Sequence, residues 1–76
     1  MNALSQARNI LAQALSMHER DLPENPRIGS IEQWDSLAHT RIFLGLEERI
    51  GKPLDPQEAV AIESLADIAK VIERHG

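Results

Sequence analysis

The stretch EQWDSLAHTR, residues 32–41, places Asp35 and Ser36 side by side. Each suits a helix N-cap, and a helix needs only one. If Asp35 caps, its carboxylate accepts from backbone N–H groups two or three residues on, and its charge suits the positive helix end. If Ser36 caps, the residue three places later is His39 rather than Glu or Gln, and the reciprocal capping box is incomplete. Asp35 is therefore the better cap, and Ser36 falls at the first helical position with its hydroxyl outward. Unpaired N–H groups and the helix dipole favour an anion there, so a phosphate ester on Ser36 would be tolerated. Trp34, just outside the cap, reads as a staple that packs onto the helix and fixes the end of the preceding loop.

Working outward, a helix is predicted from Ser36 to Ile50, closed by Gly51, which takes the left-handed position without a Cβ penalty. Upstream, Leu4, Ala7, Leu11, Ala14, Leu15 and His18 recur at three- and four-residue spacing. They predict a first helix from Ala3 to His18 that ends before Asp21-Leu22-Pro23. Residues 21–34 hold two prolines and Gly29, yet Leu22, Ile28, Ile31 and Trp34 recur through them like pegs. This long loop is expected to lie on the core rather than act as a linker. Downstream, Asp55-Pro56-Gln57-Glu58 combines a cap, a proline at the first helical position and an acid three residues after the cap. A short helix should start there and stop near Ile62. Ser64 and Asp67 repeat the cap-and-acid pattern, and Leu65, Ile68, Ala69 and Ile72 mark the buried face of a last helix. The expectation is a single all-α domain over residues 1–76, a four-helix bundle with a long loop between helices one and two and a short third helix.

Composition agrees with helices: the apolar residues are mostly Leu, Ile and Ala, with one Phe, one Trp and no Tyr. A chain of 76 residues buries only about 60% of its unfolded surface. With no cysteine, neither a disulfide nor a thiolate zinc site can reinforce it. The net charge of −4 is spread evenly, with three basic and five acidic side chains in residues 1–35 and five and seven in residues 36–76. Without a basic patch or stacking aromatics, nucleic acid is a poor partner. The run Ile42-Phe43-Leu44 is far too short to span a bilayer, and no apolar signal segment stands at the N-terminus. A cytoplasmic monomer without membrane insertion is expected. His18, His39 and His75 fall on separate elements with no repeated ligand spacing, so no metal site is expected.

On these residues the chain resembles the acyl carrier protein family almost from end to end. Asp35-Ser36-Leu37 at the start of helix two is similar to the family's phosphopantetheine attachment motif. LEERIG (46–51) resembles the end of its second helix, PLDPQEAVAI (53–62) its short third and ESLADIAKVI (63–72) its fourth. The resemblance implies a non-catalytic carrier in which a phosphopantetheinyl transferase moves 4′-phosphopantetheine from coenzyme A onto Ser36. Acyl- or aminoacyl-loading and transferring enzymes would then place cargo on the arm's thiol as a thioester. A chain lacking any thiol of its own presents one only on such an added group. Trp34 in WDSL is similar to many stand-alone carriers outside housekeeping fatty-acid synthesis, and the Gly-Gly-His-Ser motif of peptidyl carriers is absent. Ala38 and Arg41 stand where fatty-acid carriers typically present acids, which implies a specialised pathway, with fatty-acyl, polyketide-like and aminoacyl cargo all open.

On the helical wheel Leu37 and Leu44 fall within about 20° of each other and nearly opposite Leu46, with Arg41 and Glu48 beside them. These four residues should be exposed, and by resemblance they are candidate partner contacts. Ala59 and Ile62 facing Leu46 resemble the lining of the family's acyl cleft. Two other readings exist. Asp35, Ser36 and His39 evoke a hydrolytic triad, but the wheel places His39 between Leu46 and Ile50, toward the core. A helical interaction module without a prosthetic group explains the apolar pattern equally well.

Overall fold

The structure is a computed structural model that describes residues 2–75. Four helices follow in order: α1 (Ala3–Leu15), α2 (Ser36–Ile50), α3 (Pro56–Ala61) and α4 (Leu65–His75), with one 3-10 turn at Glu19–Asp21. Among the described residues there is no strand, only isolated bridges pairing Arg27 with Ser64 and Ile28 with Ile31. No helix among them is long and apolar enough to cross a membrane.

Helix α1 starts on the Asn2 side chain, which accepts the Ser5 N–H at 2.8 Å. It packs on both α4 and α2. Two neighbours demand a wide apolar face, and Ile10 and Ala12 are accordingly buried beside Ala7, Leu11, Ala14 and Leu15. Leu4 shares that face of the wheel but lies in the first turn and stays about half exposed. The helix also stops three residues short of His18. Ser16 adopts the left-handed conformation (φ 57°), and the Met17 N–H closes back on the Ala12 carbonyl at 2.9 Å. This six-to-one closure ends a helix whatever the periodicity of the residues beyond it. His18 is extended and exposed.

The loop before α2 belongs to the core. Leu22, Ile31 and Trp34 are buried as expected, but Pro26, not Ile28, is the fully buried residue between them. Its carbonyl accepts the Leu65 N–H at 3.0 Å, while the Ile28 N–H donates to the Glu63 carbonyl at 2.8 Å. The loop thus supplies one of the partners that the first turn of α4 lacks. Immediately afterwards the chain turns at Gly29 (φ 87°). The Ser30 hydroxyl holds this turn, donating to the Arg27 carbonyl at 2.7 Å and accepting the Arg27 N–H. At the other end of the loop, Arg8 Nη2 donates to the Glu19 carbonyl at 2.9 Å, tying the 3-10 turn to α1.

Helix α2 begins and ends where the sequence indicates, on Asp35 and on Gly51 (φ 84°). Gly45 lets it approach α1 closely, since a Cβ there would stand 3.2 Å from the Ile10 methyl. Helix α3 carries the expected capping box and proline start. It buries none of its own residues; Ile62, just past its end, does so instead. At the start of α4 the Ser64 hydroxyl accepts the Asp67 N–H at 3.3 Å. Asp67 reaches back one residue further than a capping box requires, to the Glu63 N–H at 2.9 Å. Leu11, Ile42, Leu46, Ile62 and Ile68 fill the centre of the bundle.

Helix α3 is tied to the end of α4 through Glu58, whose Oε1 accepts from His75 Nε2 at 2.9 Å and from Arg74 Nη1 at 2.8 Å. The His75 hydrogen bond, joined by that of Arg74, holds the Glu58 carboxyl below the usual carboxylate range despite an opposing desolvation. A lowered carboxyl contributes stability above its unfolded value, near 4.5, and loses it as pH falls through the folded value. Urea melts should therefore find wild type more stable than Glu58→Gln at pH 6, with the gap closing toward pH 3. A gap that persists at pH 3 would assign the loss to packing rather than charge. At the C-terminal end of α1, Ser16→Gly removes a Cβ from a left-handed residue and should raise stability by about 0.5–1 kcal/mol in the same melts.

Candidate functional site

Asp35 is the cap of α2: its Oδ1 accepts the Ala38 N–H at 2.8 Å while its carbonyl accepts the His39 N–H at 2.9 Å. Ser36 consequently occupies the first helical position and is exposed. Its carbonyl takes the Thr40 hydroxyl at 3.1 Å, and its own hydroxyl makes no hydrogen bond to a described residue. The N–H groups of Ser36 and Leu37 precede the first internal helix bond and likewise have no partner among the described residues. An exposed, unengaged hydroxyl thus stands at the positive end of a 15-residue helix.

Trp34 and His39 form the ground beneath it. The Trp34 indole N–H donates to His39 Nδ1 at 3.1 Å, and the rings lie 6.3 Å apart at 26°. The indole nitrogen is a donor only, so Nδ1 must accept and the proton of the neutral ring sits on Nε2. Nε2–H then donates to the Ala59 carbonyl of α3 at 2.8 Å. Both ring nitrogens are committed to these partners, and no hydrogen bond joins either of them to Ser36. The sequence placed His39 toward the core without finding these partners. The available signal was that a polar ring on an apolar face requires them, and Trp34 stands five residues earlier.

A pocket of about 480 Å³ opens beside Ser36, lined by Ile28, Gly29, Trp34, Asp35, Ser36 and His39. Ile28 and Gly29 were not foreseen as part of it, because a turn in the loop brings them there. On the outer face of α2, Leu37 and Leu44 are 60% and 56% exposed, and Arg41 and Glu48 are exposed with them. Arg41, Leu44 and Glu48 share a groove of about 620 Å³ with Asn9 and Gln13 of α1 and with Arg49, whereas Leu37 lies outside it. Val60 of α3, 80% exposed, is a further apolar surface residue that the sequence did not single out. Of the residues likened to a cargo cleft, Leu46 and Ile62 are packed in the core and Ala59 is partly buried. Neither pocket includes any of the three.

The division of labour between the two adjacent capping residues is measurable in denaturant melts of the unmodified protein. Asp35→Ala should cost about 0.5–2 kcal/mol, the usual loss on removing an N-cap. Ser36→Ala, which removes an exposed hydroxyl without a partner, should stay within about 0.5 kcal/mol of wild type. A larger loss for Ser36→Ala would mean that the serine, not the aspartate, starts the helix. No protein-family model matches the chain, and neither a curated protein nor a solved structure matches it.

Proposed function

We propose that this protein is a cytosolic, monomeric carrier of the acyl carrier protein kind. In this reading Ser36 bears a 4′-phosphopantetheine arm, and acyl or aminoacyl intermediates ride on the arm as thioesters between partner enzymes of a specialised pathway. The observation that carries the reading is the unengaged Ser36 hydroxyl at the first position of α2, with the cap already supplied by Asp35. A serine needed for capping would lose that bond on modification; this one loses nothing.

The residues present suit the group. Esterification would join the Ser36 oxygen to the phosphorus at the pantetheine end of coenzyme A's pyrophosphate, release the 3′,5′-phosphorylated nucleotide and pass the hydroxyl proton to a base of the transferase. The unpartnered N–H groups of Ser36 and Leu37 would be available to the resulting phosphodiester, and the α2 dipole would favour its charge. The thiol at the end of the arm supplies the acyl-transfer chemistry when the group is bound. The chain itself orients the attachment point: Trp34 and His39 fix the loop end and α3 on either side of it. Leu37, Arg41, Leu44 and Glu48 supply an exposed mixed surface for partner enzymes. Arg41 there favours partners with a less basic face than those that meet acidic carriers.

Coexpression with a broad-specificity phosphopantetheinyl transferase should add the mass of one phosphopantetheine to the intact protein, and Ser36→Ala should abolish the gain. An unchanged wild-type mass would overturn the carrier reading in favour of a helical interaction module.

A further inference from the structure

The pocket beside Ser36 has an unusual lining for a surface next to a charged helix end. Its two rings offer it no free polar atom, because the Trp34 N–H is committed to His39 and the His39 Nε2–H to Ala59. What they present is carbon. Ile28 adds an aliphatic wall that is 44% exposed, yet it stands on backbone held firmly in place. Its own N–H is bonded to Glu63, Pro26 two residues earlier is bonded to Leu65, and the turn that follows is locked by Ser30. Gly29 adds no side chain, and a Cβ there would meet nothing within 4 Å, so that side of the pocket stays open. Asp35 is the only acidic lining residue, and one of its oxygens already holds the Ala38 N–H. An apolar surface of this kind, with Ile28 as its exposed part and the edge of Trp34, 4% exposed, as its floor, suits a short branched aliphatic group.

Ser36 lines the same pocket. Anything esterified to its hydroxyl therefore begins at the pocket's edge, and the tether supplies the high local concentration that a shallow site otherwise lacks. We propose that this pocket is the resting seat of the arm. The dimethyl-bearing carbon of pantetheine, close to the phosphate, lies against Ile28 and the Trp34 ring, on the loop side of α2 and apart from the groove at Leu44. This assignment rests on the carrier reading of Ser36. It adds a consequence for delivery: a partner docked on the outer face of α2 does not cover the arm at rest, and draws it out of the pocket when it takes the cargo.

The test uses the full chain with the arm attached, its modification first verified by intact mass. Nuclear Overhauser contacts are expected from the two arm methyls to the Ile28 methyls and the Trp34 ring protons. Trp34 is the one tryptophan of the chain, so its emission should shift between the unmodified and modified forms. Ile28→Ser should gain the same mass and keep the wild-type circular dichroism while losing both the contacts and the emission shift. Contacts from the arm methyls to Leu46 or Val60 instead, or an arm with no contacts at all, would overturn the seat and leave the carrier reading standing. A chain that gains no mass overturns both.

Discussion

A buried indole N–H must find an acceptor, and in this protein much else depends on which acceptor it finds. Trp34 is 4% exposed and has one donor and no lone pair to offer. Leaving that donor unpaired would cost about 1–3 kcal/mol, a large share of the stability of so small a domain. His39, one turn into α2, takes the bond. That choice fixes the histidine tautomer, and the tautomer aims Nε2–H at Ala59, so a donor from the loop is answered by an acceptor on α3. Loop, second helix and third helix are thus joined through two side chains. The serine between them is left with no structural duty.

The bundle has few other means of fixing its long connection. It has no disulfide, and no charged or polar residue among those described is buried. The loop is held instead by three buried apolar pegs, by Pro26 in the core and by backbone pairing with the α3–α4 junction. Proline is well suited to its place: it has no N–H to satisfy, and its carbonyl is free to serve α4. Helix α3 depends on outside ties to a similar degree. None of its six residues is fully buried, and it is held by His39 at one side, by Glu58 to the end of α4, and by Ile62 beyond its last turn.

The caps of α2, α3 and α4 were legible because each is a contact between a side chain and backbone two to four residues away, and such contacts are written in consecutive letters. The exposure of Leu37, Arg41, Leu44 and Glu48 followed from the wheel for the same reason. The end of α1 was not legible: the left-handed turn sits on a serine, which does not announce it as glycine would, and His18 continued the apolar spacing by coincidence. Ile28 did not take the buried place expected of it, and Pro26 is buried instead, because their placement is set by pairing with residues 63–65, which no local period encodes. The pocket beside Ser36 was missed on the same account. Its wall is assembled by a loop turn and its lining is made apolar by hydrogen bonds that use up the polar atoms of two rings. The Asp35-Ser36 pair was legible only as two adjacent capping residues, and its reading as an attachment motif rests on the resemblance of the whole chain.

The bond from Leu65 to the Pro26 carbonyl also bears on the order in which the chain folds. Helical bundles fold fast because their contacts are mostly local, and α1 and α2 can each form early from their own caps. Helix α4 differs, because part of its first turn is completed by a carbonyl from the other half of the sequence. The entropy of closing that long segment has to be met before the bond forms. The bond thus couples the ordering of the loop to that of the α4 N-terminus across the two halves of the sequence.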